Sequence, residues 1–359
     1  MTRRALIARL DSIGDVLLCG PAVRAVAASP DVDEVWMLCS SIGAQAARLL
    51  PGVDRVLEWD CPWITVTAPA PTVEHLERLE ALVSEADPEV AVVLTSFHQS
   101  PLPLALQLRL AGVPRIVGAS VDYAGTLLDV RLKPGEDFPE DQPEPRRALA
   151  IAAAAGFRLP GDDAGGLMID PGVMERSGAD VPVEIEGLRN LVVVHPGAAA
   201  SARRWPAAHH AEAVRLLAET GWDVVVTGGP DEVELTAFVS GGGRHGLDLG
   251  GVTELASLAA VLARARVVVT GNTGPAHVAA AVGVPVVSLF SPVVPAIRWA
   301  PYGVPCVVLG DQAAPCRDTR ARDCPVPGHP CLASVSPHEV VAACQHLAGR
   351  PSPREGALA

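Results

Sequence analysis

Residues with acid, base or phosphate-binding chemistry gather at a few points of the sequence. The first is "RLDSIGDVLLCG", residues 9–20, where Asp11 and Asp15 lie four positions apart around Gly14. A carboxylate placed there can act as general base toward a substrate hydroxyl. The same acids, with Ser12, also suit a helix start, where side-chain oxygens cap free N–H groups and negative charge complements the dipole. Taken alone, the segment favours that second reading for Asp15.

Three further stretches carry phosphate-type or hydroxyl-binding chemistry. "HPGAAASARRWP" sets Arg203 and Arg204 before Trp205 and Pro206. Paired guanidiniums suit an anionic ligand because each presents a fixed fork of donors, although a solvated basic turn explains them too. "TGGPDE" offers Asp231 and Glu232 after an apolar run, either for sugar hydroxyls or as first-turn acids. In "VVVTGNTGPAHVAAAVGVP" a buried strand should end at Thr270, a tight turn should follow, and Pro275 should open an Ala-rich helix. The helix start beside Asn272, Thr273 and Gly274 would then seat a diphosphate, with His277 on the first turn. A well-capped helix accounts for the same residues. His98, after the apolar run Val90 to Thr95, is a candidate on the acceptor side.

Other catalytic signatures are missing. The chain has no G-x-x-x-x-G-K-[ST], no G-x-G-x-x-G with an acid about twenty residues on, and no H-E-x-x-H. Cys316, Cys324 and Cys331, with His329 among them, are spaced C-x₇-C and C-x₆-C and lack the close C-x₂-C pair of a zinc site. Free thiols are the default expectation for them, with a metal or a disulfide as the alternatives.

These segments need elements to position them. Apolar runs at Ala5–Leu10, Glu34–Leu38, Val90–Thr95, Leu191–Val194, Asp223–Thr227, Val267–Thr270 and Val284–Leu289 alternate with helical stretches such as Ala207–Thr220. Strand and helix in alternation predict parallel sheets wound with crossover helices. Ligands of such sheets bind beyond the carboxyl ends of the strands, where all the candidate segments fall. Residues 161–190, rich in Gly, Pro and acids, hold one short candidate strand at Gly166–Ile169 and read as the linker region. The expected division is 1–170, a linker at 171–190, and 191–359, two similar wound domains facing a cleft.

Composition narrows the function classes. The 359 residues are 49% hydrophobic and 19% charged, enough for sizeable buried cores. A net charge of −13 opposes sequence-independent nucleic-acid binding, which needs clustered Lys and Arg. Lys133 is the only lysine; the other basic residues are Arg, a bias typical of GC-rich bacterial genomes. Arg9, Asp11 and Asp15 interrupt the N-terminal apolar run too early for a signal peptide, so a cytoplasmic protein is expected. The stretch Val267–Ile297 has no charged residue, yet four prolines divide it, and it reads as buried strands around a loop and helix rather than a membrane span.

Together and in this order, "RLDSIGDVLLCGPAVRAV", "HPGAAASARRWP" and "GNTGPAHVAAAVGVPVVSLFSP" resemble glycosyltransferase family nine, the heptosyltransferase family of lipopolysaccharide assembly. "HPCLASVSPHEVV" is similar to the Cys-containing end of the family. The resemblance implies a GT-B fold: two Rossmann-like α/β domains facing a central cleft, the first for the acceptor and the second for the nucleotide-sugar. It further implies an inverting, metal-independent transfer of a sugar, heptose from ADP-heptose, to an acceptor hydroxyl. The nucleotide-sugar is then substrate, and no cofactor is needed. By the same resemblance Asp15, after Gly14, is the base; Arg203 lies on the diphosphate; and Arg204, Glu232, Asn272, Thr273, Gly274 and His277 are on the donor side. Asp11 is the structural member of its pair. The implied acceptor is a glycan, glycolipid or small molecule, with room for a peripheral position at the inner face of the membrane. A nucleotide-sugar epimerase and a non-catalytic sugar-nucleotide binding protein are the alternatives.

Overall fold

The computed structural model describes residues 2–65, 70–177 and 181–349. The chain divides into two compact units, Met1–Asp170 and Pro171–Ala359. Six strands form the first sheet: β1 (Arg4–Arg9), β2 (Glu34–Cys39), β3 (Arg55–Glu58), β4 (Val90–Val93), β5 (Arg115–Ala119) and β6 (Val130–Leu132). They run parallel in the order β3-β2-β1-β4-β5-β6. The second sheet holds β7 (Leu191–His195), β8 (Asp223–Gly228), β9 (Leu247–Gly250), β10 (Val267–Gly271), β11 (Val286–Leu289) and β12 (Cys306–Leu309). Its order, β12-β11-β10-β7-β8-β9, is the same arrangement again, the dinucleotide-fold order in which the first strand sits where the winding reverses.

Central strands are apolar because helices cover both faces of each sheet. Only Arg4 of β1 escapes full burial, and every residue of β4, β7, β10 and β11 is buried. One core gathers Leu6, Ala8, Trp36, Leu38, Ala91 and Val93 under the helices Val73–Ala86 and Leu102–Leu110. The second gathers Val192, Val194, Val224, Val226, Val267 and Val269 against the helices Ala207–Glu219 and Pro337–Ala348.

Two expectations about 161–190 are corrected. Gly166–Ile169 pairs with no strand; Leu167 and Ile169 bury alternately while Arg24 holds the segment through Gly166 O at 2.8 Å and the Asp163 carboxylate. Alternating apolar side chains can thus reflect a strapped extended segment without a ladder partner. Residues 171–177 form a helix, Pro171–Ser177, packed on the helix Leu255–Leu262, so the expected linker contributes to the second unit. Among the described residues no helix is long and apolar enough to cross a membrane. The uncharged stretch from Val267 onward is β10, the helix Gly274–Ala281 and β11.

Candidate active site

In the first unit the acids after β1 surround a buried cation. Arg9, the last residue of β1, is 2% exposed, and its guanidinium lies 2.7 Å from Asp11, 2.9 Å from Asp15 and 3.6 Å from Glu144. The Asp11 contact is an ion pair rather than an aligned hydrogen bond. Arg9 Nη2 also donates to Ser96 Oγ at 2.8 Å, and Gln99 Nε2 donates to Asp11 Oδ1. Burial opposes charge on Arg9, but Asp11, Asp15 and Glu144 more than offset it and hold the guanidinium well above its ordinary pKa. Burial pushes the Asp11 carboxyl up while Arg9 pulls it down, and burial wins.

Asp15 lies in the first turn of the helix Ile13–Leu18, whose N-cap is Ser12. No helix N–H reaches the Ser12 hydroxyl; it donates instead to Asp15 Oδ2 at 2.7 Å. The side chains that sequence assigns to capping therefore hold each other. One carboxylate oxygen takes Arg9 and the other takes Ser12, while the side chain keeps 19% of its surface exposed. Gly14, the residue before it, is buried. His98 is exposed, against Phe97, on the loop whose Ser96 and Gln99 bind Arg9 and Asp11. The loops after β1 and β4 are thereby tied into one acidic site. Sequence reading missed Arg9, Gln99 and Glu144; a charged residue ending an otherwise apolar strand was the available signal.

In the second unit the loops after β7, β8 and β10 meet. Arg203 ends the short turn Ser201–Arg203, and its Nη1 donates to Asn272 O at 3.4 Å. Its carbonyl passes so close to Gly271 that a Cβ there would sit 3.0 Å from it, which explains glycine at the strand end. Thr273 precedes the helix Gly274–Ala281 without a side-chain cap, and its hydroxyl pairs with Thr270 at 3.3 Å. The positive end of the helix thus stays beside Arg203 with no carboxylate capping it. Asn272 spends its amide on the Ser291 backbone, accepting from N at 3.3 Å and donating to O at 3.4 Å, and so clamps the ends of β10 and β11 together. His277 is buried within the helix. Arg204 is exposed and donates to Ala198 O at 2.8 Å, shaping its own loop.

Glu232 follows β8 in the turn Pro230–Glu232 and accepts from Gly229 N at 2.9 Å. It lies over Gly197, where a Cβ would fall 1.9 Å from Oε1, and 3.7 Å from the imidazole of His195. Burial lowers the pKa of His195 and drives that of the neighbouring His210 down to about 3. Asp231 is exposed.

All eight cysteines are free. Cys316 and Cys331 are buried in the second core, and His329 bonds through Nε2 to Ala202 O at 3.0 Å. Among the described residues no group of three His, Cys, Asp or Glu side chains could hold a metal ion.

Two parallel-sheet units of dinucleotide-fold order, one with an acid site and one with an arginine beside an uncapped helix start, make up a GT-B fold. The model of glycosyltransferase family 9 (heptosyltransferase) matches residues 109–328, and the chain belongs to that family. It is 29% identical over 327 residues to lipopolysaccharide heptosyltransferase 1 of Pseudomonas aeruginosa, covering 87% of this chain and 86% of that protein. The fold is shared with a family 9 glycosyltransferase of Veillonella parvula, at a TM-score of 0.77, 17% identity, and 96% and 97% of the two chains. It is shared also with E. coli ADP-heptose lipopolysaccharide heptosyltransferase II, at 0.72, 20% identity, and 96% and 98%.

Proposed function

We propose that this glycosyltransferase moves heptose from ADP-heptose to an acceptor hydroxyl with inversion, in one displacement at the anomeric carbon. The observation that carries the reading is Asp15: a carboxylate fixed from both oxygens by Arg9 and Ser12, yet still partly open to solvent. Asp15 accepts the hydroxyl proton as the acceptor oxygen attacks. On the donor side, Arg203 and the helix start at Thr273 and Gly274 offset the charge that grows on the departing diphosphate. With cationic groups in that role, the reading calls for no metal. Glu232, following the second strand of its unit, stands where dinucleotide folds place the acid that binds ribose hydroxyls. ADP-heptose as donor is supported by the relatives, one of which is described as an ADP-heptose enzyme.

A thermal-shift series with ADP-heptose, UDP-glucose and GDP-mannose tests the donor. ADP-heptose at about a hundred times its Kd should stabilise the protein by about 2.7 kcal/mol, and an equal shift with another nucleotide-sugar refutes the assignment. Anomeric inversion is checked by NMR of the product. Metal independence predicts an unchanged rate in excess EDTA.

A further inference from the structure

Glu232 is held from a direction that its own turn does not supply. Beyond Gly229 N, its Oε2 has Nε2 of His195 3.7 Å away, on a strand that ends beside it. The opposite ring nitrogen, Nδ1, lies 3.1 Å from Thr227 Oγ1. His195 is 8% exposed and Thr227 is completely buried. A neutral imidazole has one N–H: with Nδ1 accepting from the threonine hydroxyl, Nε2 carries the proton and faces the carboxylate, which only accepts, across a gap longer than a hydrogen bond. Thr227, His195 and Glu232 thus stand in line, the first contact at hydrogen-bond length and the second 3.7 Å long, and the carboxylate lies against the bare backbone of Gly197.

The geometry points to His195 and Thr227 as positioning residues that aim Glu232 at the ribose hydroxyls of the donor nucleotide. Neither touches the nucleotide: the hydroxyl of Thr227 sets which imidazole nitrogen is protonated, and the imidazole keeps the carboxylate over Gly197. The groups facing His195 are Glu232, His210 and Thr227, and burial keeps both imidazoles neutral, so the chain operates without ionising. This inference rests on Glu232 as the ribose ligand.

The test is calorimetric binding of ADP and of 2′,3′-dideoxy-ADP to the full chain. Wild type should prefer ADP, and Glu232→Gln should abolish the preference. Thr227→Val keeps the shape of the buried side chain and removes only the hydroxyl. It should weaken ADP about fivefold, the effect of one hydrogen bond, and leave the dideoxy nucleotide unchanged. Thr227→Ser should restore wild-type binding, and Thr227→Val added to Glu232→Gln should have no further effect. His195→Gln, which retains an N–H toward Glu232, should fall between wild type and Glu232→Gln. Equal weakening of both nucleotides by Thr227→Val, or no weakening of either, overturns the positioning role. If wild type does not prefer ADP, or if Glu232→Gln retains the preference, the ribose assignment itself fails and this inference with it.

Discussion

Asp15→Asn separates the charge of the proposed base from its geometry. Asparagine keeps an oxygen for Arg9 Nη2, now 2.9 Å from Asp15, and its amide can donate to Ser12 if that hydroxyl, now donating at 2.7 Å, turns to accept. The side chain therefore stays in place while its basicity is lost. Removing a positioned general base costs about a hundred- to ten-thousandfold in turnover, equivalent to about 3–5 kcal/mol on the barrier. Stability should move the other way or not at all. Arg9 faces three carboxylates, Asp11, Asp15 and Glu144, so neutralising one still leaves it two partners and removes repulsion among the acids. The assay is acceptor-dependent ADP release at saturating donor, with ADP affinity by calorimetry and a thermal melt as controls. The expected result is a collapsed kcat with unchanged ADP affinity and a melting temperature no lower than wild type. Asp11→Asn, by contrast, should retain most of the turnover, since Asp11 is the more enclosed acid and Gln99 and Arg9 hold it as structure. A folded Asp15→Asn protein with kcat within about threefold of wild type refutes the base assignment.

The donor unit yields three further expectations. Gly197→Ala places a methyl 1.9 Å from Glu232 Oε1 and must displace that carboxylate, so ADP should bind more weakly with little change in melting temperature; unchanged binding would show that Glu232 is not a donor ligand. Arg203→Ala removes a guanidinium from the proposed diphosphate seat and should weaken ADP about ten- to hundredfold, read by calorimetry, with adenosine unaffected. His210 favours its neutral form in the folded state, with a pKa of about 3 against an ordinary 6.5, because it is buried beside His195 and His209. Its contribution is fully present above pH 6.5 and is lost as pH falls toward 3, at about 1.4 kcal/mol per pH unit for one proton. Denaturant midpoints between pH 7 and pH 4.5 should show that slope, and His210→Phe, which retains a ring against Trp205, should reduce it without removing the share due to His195.

What the sequence disclosed follows burial. Seven strands were legible because their residues are enclosed on both faces and read as aliphatic runs, as in Leu191–His195 and Val267–Gly271. β3, β6, β9 and β12 lie toward the sheet edges, carry charged or half-exposed positions, and leave no such run; β5, though mostly buried, is interrupted by Gly118. Asp15 and Arg203 stood out as candidates only through the family resemblance, since their own segments also suit a helix start and a solvated turn, and their partners were not legible at all. Arg9 meets Glu144 across 135 positions and Ser96 across 87, and Gln99 meets Asp11 across 88. Contacts at that separation exist only once the sheet order is fixed, and no local pattern encodes them.

Both units apply one topology to opposite chemical ends. In each, the first strand sits where the winding reverses, and its loop meets the loop of the fourth strand: Arg9 and Asp11 reach Ser96 and Gln99 after β4, and Arg203 reaches Asn272 after β10. The difference lies in which charge is enclosed. Around β1 the cation is buried and acids surround it, so the exposed edge is a carboxylate suited to taking a proton. Around β7 a neutral imidazole fills the buried position at the strand end, and the charge next to the helix start is an arginine, suited to a leaving diphosphate. These groups lie at strand ends, outside the apolar cores. The proposed division of labour, a base in one unit and a diphosphate counter-charge in the other, thus resides in a few residues at and after the first strands rather than in the fold.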